Sequence, residues 1–186
     1  MMGEERRQNT PLTPESLSAL MKLMKEDWEV RGDEERKQVE EVACFVLASY
    51  AGGLRGEEVP LIYLRGMLEF WEEGRIHNTP HVILTLLGRF RGEDKDCCHC
   101  PPLADKTKSG LHIRKYLTRL LIQHTCVQER TSGWLFCDCT KKWQLTKRKA
   151  KLAHYDPLFK DYMMKFKDRF PGFIPKNCDP LAELNL

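Results

Sequence analysis

The sequence predicts a mainly α-helical domain with a small antiparallel β-hairpin or sheet, an α+β fold. Two long segments near the N-terminus carry apolar residues at helical spacing. A short apolar run with β-branched residues follows, and then two further amphipathic segments. Of the 186 residues, 41% are hydrophobic and 31% charged. This composition excludes a disordered chain, because such a chain lacks the apolar residues that offset the entropy cost of folding.

Capping residues as well as spacing indicate the first two helices. Thr13-Pro14 begins the first, since Thr caps a first turn and Pro suits the first helical position. Arg31-Gly32-Asp33 separates the two helices, with Asp33 as the candidate cap of the second, and Gly52-Gly53 ends it. The apolar stripes, which we interpret as core, are Leu17, Leu20, Met21, Met24 and Trp28, then Val39, Val42, Ala43, Val46, Leu47 and Tyr50.

The middle of the chain predicts the sheet. Residues 54–66 are mixed, and Pro60 limits any helix there. The apolar run between Thr79 and Phe90 has the length of a strand, and Pro102 to Ala104 is its expected partner across a long Cys-rich loop. Trp134 to Phe136 is expected to form a buried turn or short strand.

Two more helices complete the predicted order. One runs from Ser109-Gly110 to about Gln123 and the other from Asp156 to about Phe170. Their inward residues are Ile113, Leu117, Leu120 and Leu121, then Phe159, Tyr162, Met163 and Phe166. Residues 1–12 are predicted to be a flexible arm, and residues 13–186 a single domain.

Charge is distributed unevenly along the chain. Residues 1–75 carry 10 basic and 16 acidic residues, whereas the segment from Lys106 to Lys151 carries 12 basic residues and two acidic ones. Such a block is typical of a polyanion-binding surface, although charge alone is equally compatible with a solvated face. The candidate DNA-binding residues are His112, Lys115 and Arg119, which share one helix face, together with Lys141, Lys142, Lys147 and Arg148.

The segment from Gly53 to Glu58, Gly-Leu-Arg-Gly-Glu-Glu, is the most informative motif. Arg55 cannot lose its proton, so it must pair with a carboxylate or bind an anion, and its fork geometry fits a phosphate. Glu58 has the spacing to hold the next turn or to orient Arg55. The alternative interpretation is an ordinary Arg–Glu pair at a helix start.

This segment resembles the first active-site box of the tyrosine recombinases, in which a helix ends in Gly-Leu-Arg and a Glu follows three residues later. The strand end GRFRGE (88–93) resembles the family's hairpin that carries a catalytic Lys, and Pro102-Leu103 and a basic helix follow. The chain looks closest to divergent integrase-like proteins of eukaryotic mobile elements. In these proteins a T-x-SG segment and an FPGFIP-like segment recur, here at 107–110 and 170–175. The resemblance implies Arg55 as a phosphate-binding fork and Arg91 or Lys95 near the leaving group.

The sequence departs from this family in three ways. The position of the hairpin Lys aligns with Arg91, and Lys95 follows four residues later. None of the six histidines has Arg three residues on, so the His-x-x-Arg box is missing. No Tyr follows the place of that box, so the covalent phosphotyrosine route has no candidate nucleophile. The resemblance therefore implies a DNA-binding domain of mobile-element origin, cut off before these elements and without strand-exchange activity by itself.

The cysteines support a rival hypothesis. Cys97 and Cys100 have the C-x₂-C spacing of a zinc knuckle, and Cys137 and Cys139 with His124 and Cys126 follow later. The C-x-C spacing of the second pair is too short for the usual knuckle, and free thiols in a reducing compartment are the alternative. The rival is thus a zinc-stabilised module that binds nucleic acid or protein. A domesticated, non-enzymatic DNA-binding protein is a further alternative.

The expected partner is duplex DNA, bound through its phosphates, and copies of the chain could associate on it. No cofactor is expected. No run of about 18 apolar residues predicts a membrane span, and the polar N-terminus lacks the apolar stretch of a signal peptide. We therefore expect an intracellular and, for a DNA-binding protein, nuclear location.

Overall fold

The computed structural model describes residues 12–69, 75–76, 79–88, 98–107, 109–127, 129–140 and 145–173. The helices are α1 (Pro14–Val30), α2 (Asp33–Gly52), α3 (Leu64–Glu69), α4 (Ile113–Ile122) and α5 (Leu152–Arg169). The strands are β1 (Arg75–Ile76), β2 (Thr79–Ile83), β3 (Leu86–Leu87), β4 (Cys98–His99), β5 (Pro102–Ala104), β6 (Cys137–Cys139) and β7 (Leu145–Lys149). Short 3₁₀ turns lie at Val59–Leu61 and Pro171–Phe173, and a π-helical turn lies at Gln123–Val127. The prediction of a mainly helical fold with small antiparallel sheets is confirmed.

The ends of α1 and α2 follow from their capping residues. Thr13 caps α1, and its hydroxyl oxygen accepts a hydrogen bond from the backbone N–H of Ser16 at 3.2 Å. Gly53 ends α2 in the left-handed conformation, with φ 57°. The prediction for Asp33 was wrong by one residue, because Gly32 is the N-cap and Asp33 begins the helix.

Helix α2 lies at the centre of the core and packs against α1, α4 and α5. Its Phe45 ring stacks on Tyr155 of α5 at 4.4 Å between centroids and meets Phe136 edge-on at 5.6 Å. Leu47 of α2 and Leu117 of α4 are fully buried. Apolar burial of this kind supplies most of the stability of such helices.

The apolar run from Thr79 is divided between two sheets instead of forming one strand. β2 pairs antiparallel with β5, and β1 pairs with the other edge of β2. At the break, Leu84 N–H donates to Pro101 O, and Thr85 O accepts from Tyr63 N–H. These two tertiary hydrogen bonds replace ladder pairs, so the strand resumes only at β3, which pairs with β4 inside the Cys-rich loop. The predicted pairing of Pro102–Ala104 is confirmed.

The predicted starts of the two later helices were wrong. Ser109-Gly110 belongs to a turn in which Gly110 has φ 88°, and α4 begins only after His112. Helix α5 begins at Leu152, four residues before the predicted start, because Tyr155 packs into the core on the N-terminal side of Pro157. The β6–β7 hairpin was not predicted at all.

Candidate nucleic-acid interface

Hydrogen bonds hold together the loop that leads into α4, the helix that carries the predicted basic face. Thr107 N–H donates to Leu111 O, and Leu111 N–H donates to the Thr107 hydroxyl at 3.0 Å. Gly110 N–H donates to Thr107 O, and Ile113 N–H donates to Asp105 O. This loop, which contains the T-x-SG segment, places His112 at the start of α4 as its N-cap.

Lys115 and Arg119 lie on one face of α4, as predicted, whereas His112 precedes the helix as its N-cap. All three line a shallow groove on one side of α4. They also line a cleft of about 220 Å³ between α1, α2 and α4, which includes Lys25 and Trp28. The predicted clustering of the three side chains is therefore confirmed at the level of geometry.

The basic residues of α4 differ in how strongly they are held. Arg114 donates to the backbone oxygen of His81 at 2.7 Å and lies 3.6 Å from Asp105, so it ties α4 to the sheet. Arg119 lies 3.8 Å from Glu40 and over the ring of Trp28. Lys115 is exposed and forms no ion pair within the described part of the chain. It is therefore the cation of this face that is most available to an incoming anion.

Arg55 lies in a turn that is held by its neighbours. Leu54 N–H donates to Ser49 O, and the Ser49 hydroxyl donates to Leu54 O at 2.8 Å. Glu58 is buried, and its carboxylate accepts a hydrogen bond from the backbone N–H of Arg55 at 2.8 Å. The predicted role of Glu58 in holding the turn is confirmed, whereas the interpretation of an Arg55–Glu58 ion pair was wrong, because the carboxylate binds the backbone.

The Arg55 side chain is exposed. It forms no hydrogen bond or ion pair with any residue that the structure describes. Helices α2 and α4 run antiparallel, since Glu40 binds Gln123 and the Cys44 thiol donates to Tyr116 O. The end of α2 that leads to Arg55 therefore lies at the same end of the helix pair as the start of α4.

The other predicted site residues fall into two groups. Lys147 and Arg148 are exposed on β7, and the Arg148 guanidinium lies 3.7 Å from the Asp138 carboxylate. Strand β7 packs mainly against β6. The prediction that Lys147 and Arg148 bind DNA therefore stays a prediction. Arg91, Lys95, Lys141 and Lys142 lie outside the described residues.

The two late tyrosines are buried and hydrogen-bonded to carboxylates. Tyr155 donates to Glu41 at 2.7 Å and Tyr162 donates to Asp27 at 2.5 Å. Burial and the hydrogen bond to Asp27 raise the pKa of Tyr162 well above its ordinary value. A phenol in this state is a poor nucleophile, because it is neutral and closed off from solvent.

The cysteines proposed as zinc ligands lie in different surroundings. Cys100 is exposed, whereas Cys137 is buried and donates to Trp134 O at 3.1 Å. Burial raises the pKa of the Cys137 thiol, although the Arg130 guanidinium beside it opposes this effect. Cys97 and the side chain of Cys139 lie outside the described residues, and the rest of the described chain groups no three metal-binding side chains.

Sequence reasoning missed Lys25 and the stacked Trp28 as lining residues of the cleft. The apolar spacing of Trp28 predicts a core residue, but its side chain is only partly buried. The Arg36 and Arg119 guanidinium groups lie 4.8 and 5.3 Å from its ring centroid. The sequence feature that could have indicated this role for Trp28 is the basic residue Lys25, three positions before it.

Comparison with protein-family models, with curated proteins and with solved structures finds no match for this chain. Among the described helices, none combines the length and the apolar character that crossing a bilayer requires.

Proposed function

We propose that this chain is a DNA-binding domain of the tyrosine-recombinase-like class and that it binds the phosphate backbone of duplex DNA. The observation that carries the proposal is the exposed guanidinium of Arg55, unpaired among the described residues, on a turn that its neighbours hold in place. It lies at the same end of the α2–α4 pair as the start of the basic face of α4. An arginine without a carboxylate partner keeps its full charge available for a phosphate.

The α4 face supplies the second part of the surface. Lys115 and His112 are exposed there, and Arg119 adds positive charge even though Glu40 offsets part of it. Contacts of this kind are independent of sequence and fix the position of a protein on a duplex. The proposal therefore specifies a mode of DNA binding and leaves the target sequence open.

Binding without strand exchange is part of the proposal. The buried hydroxyls of Tyr155 and Tyr162 support it, because each is already committed to a carboxylate. The mobile-element origin, the nuclear location and the association of copies on DNA belong to the proposal through the family resemblance described above.

The test compares Lys115→Ala and Arg55→Ala with Lys160→Ala, a matched loss of one positive charge. Lys160 is exposed on α5, which packs against α1 and α2. Duplex affinity is measured over a range of salt concentrations, and stability by denaturant midpoint. Each of the two site variants should weaken binding and make the log–log salt slope shallower by about 0.9, the value for one phosphate contact.

Lys160→Ala should leave affinity and slope unchanged. Arg55→Ala should change the free energy of unfolding by less than about 0.5 kcal/mol, because its side chain is exposed. A large loss of stability with unchanged affinity would make Arg55 structural and remove the main support for the proposal. Equal salt slopes for all four proteins would place the phosphate contacts elsewhere.

A further inference from the structure

Two exposed cysteines at the end of β4 lie close together. The Sγ atoms of Cys98 and Cys100 are 3.4 Å apart, and the Cys100 sulfur also lies 4.0 Å from the Thr85 hydroxyl. Both residues are exposed, so a small oxidant can approach them. This pair shares Cys100 with the predicted zinc set but contains Cys98 where that set has Cys97.

The backbone on both sides of the pair is held in place. Cys98 pairs with Leu87 in the β3–β4 ladder, and on the other side Pro101 O accepts a hydrogen bond from Leu84 N–H at 3.1 Å. The two thiols therefore sit on a fixed frame with a single residue, His99, between them. Groups held in this way react with each other at a high effective concentration.

The spacing is compatible with a covalent bond between the two sulfurs. An extended chain rises about 3.3–3.4 Å per residue, so two residues separate the Cα atoms by at most about 6.8 Å. That value is the upper end of the range of about 4.4–6.8 Å found across disulfides. The Cα separation is therefore compatible with a disulfide, and the two sulfurs, now 3.4 Å apart, must approach to about 2.0 Å.

We propose that Cys98 and Cys100 form a dithiol site that exchanges with low-molecular-weight disulfides, such as oxidised glutathione, and closes to an intramolecular disulfide. The thiolate of one cysteine attacks a glutathione sulfur, and one glutathione thiolate leaves. The thiolate of the other cysteine then attacks the protein sulfur of the mixed disulfide and releases the second glutathione. The protein gives up two electrons, which reduce the glutathione disulfide, and its two protons pass through solvent to the released thiolates.

The buried thiols provide an internal contrast. Burial raises the pKa of the Cys44 thiol well above its ordinary value, and that thiol donates to Tyr116 O. The Cys137 thiol is likewise buried and donates to Trp134 O. Exchange requires an accessible thiolate, so these two cysteines should stay reduced under conditions in which the pair closes. The inference is independent of DNA binding.

The experiment treats the reduced 186-residue chain with oxidised glutathione, blocks the remaining thiols by alkylation and maps the products by trypsin digestion and mass spectrometry. Cleavage after Lys95 and Lys106 places Cys97, Cys98 and Cys100 in one peptide. The wild-type peptide should lose two hydrogens and two of its three alkylation sites. Cys97→Ser should retain this closure, whereas Cys98→Ser and Cys100→Ser should stop at the mixed disulfide with glutathione.

Circular dichroism of the three variants checks that each one is folded. Closure that persists in Cys98→Ser or Cys100→Ser would assign the bond to Cys97 and overturn the proposal. Accumulation of only glutathione adducts on the wild-type peptide would also overturn it, because the second cysteine would then have failed to displace glutathione.

Discussion

The charge of His124 is set by its surroundings. The residue is fully buried in the π-helical turn after α4, and no hydrogen bond of good geometry reaches either ring nitrogen from the described residues. Burial and the nearby Arg130 charge lower the pKa of His124 to about 4, and the backbone of Leu135 opposes this only weakly. The imidazole is therefore neutral near pH 7, and its protonation opposes folding.

This pKa predicts acid-sensitive stability. The folded pKa lies below the unfolded value of 6.5, so the contribution to stability is fully present above pH 6.5 and is lost as the pH falls toward 4. At about 1.4 kcal/mol per pKa unit, the loss between pH 7.5 and pH 5 is about 2 kcal/mol. Urea unfolding at the two pH values should show this loss in the wild type and a smaller one in His124→Leu. Equal losses in the wild type and in His124→Leu would contradict the prediction.

Close packing between elements is most evident at Gly66 of α3. A Cβ at this position would lie 2.5 Å from Thr85 Cγ2 and 2.7 Å from Thr85 Oγ1. Thr85 is buried at the break between β2 and β3, where its backbone oxygen accepts a hydrogen bond from Tyr63. The glycine thus lets the short helix approach the point where the sheet changes partner.

This contact predicts that Gly66→Ala destabilises the fold, although alanine is the better helix former by about 1 kcal/mol. Overpacking of this kind typically costs about 1–3 kcal/mol. The double variant Gly66→Ala/Thr85→Ala should lose less stability than the sum of the two single variants, because removal of Cγ2 and Oγ1 relieves the two shortest contacts of the new methyl group, while the Cβ of residue 85 at 2.8 Å remains. Denaturant midpoints of the four proteins measure this coupling, and strict additivity would contradict a clash between the new methyl group and the Thr85 side chain.

At the scale of the whole molecule, the tyrosines join helices that are distant in sequence. Tyr155 connects α5 to Glu41 of α2, and Tyr162 connects α5 to Asp27 of α1. Hydrogen bonds from Tyr162 and Arg31 lower the pKa of Asp27 even though burial acts in the opposite direction. These hydroxyls therefore contribute to holding the helices together, which is a structural role.

Because the Tyr155 and Tyr162 hydroxyls are hydrogen-bonded to buried or partly buried carboxylates, we predict that no covalent DNA adduct forms. A nicked duplex with a trapping leaving group, incubated with the wild-type chain, should give no protein–DNA band on a denaturing gel. Tyr155→Phe should lower the free energy of unfolding by about 1–3 kcal/mol, the usual effect of removing one partner of a buried hydrogen bond, and leave duplex affinity unchanged. A covalent band that maps to Tyr155 or Tyr162 would show that the phenol leaves its carboxylate and acts as a nucleophile.

Helix existence, apolar faces and caps could be predicted from the sequence because they depend on residues three or four positions apart. Thr13, Gly53 and the buried stripes of α1 and α2 are examples, as is the shared face of Lys115 and Arg119. The helix-ending Gly-Leu-Arg turn and the spacing of Glu58 belong to the same group.

The tertiary structure alone decided the features that depend on contacts between distant segments. The break at Thr85 requires Tyr63 and Pro101, and the early start of α5 requires the core that receives Tyr155. Which arginines of α4 are neutralised depends on Glu40 and Asp105, which lie on other elements. The sequence by itself determined α1, α2 and the existence of two later helices, together with the basic character of this surface, because these depend on neighbouring residues, whereas α3 and the starts of α4 and α5 were not predicted. Only folding decided which cations stay unpaired, because a charge is neutralised by whatever carboxylate the fold brings within reach.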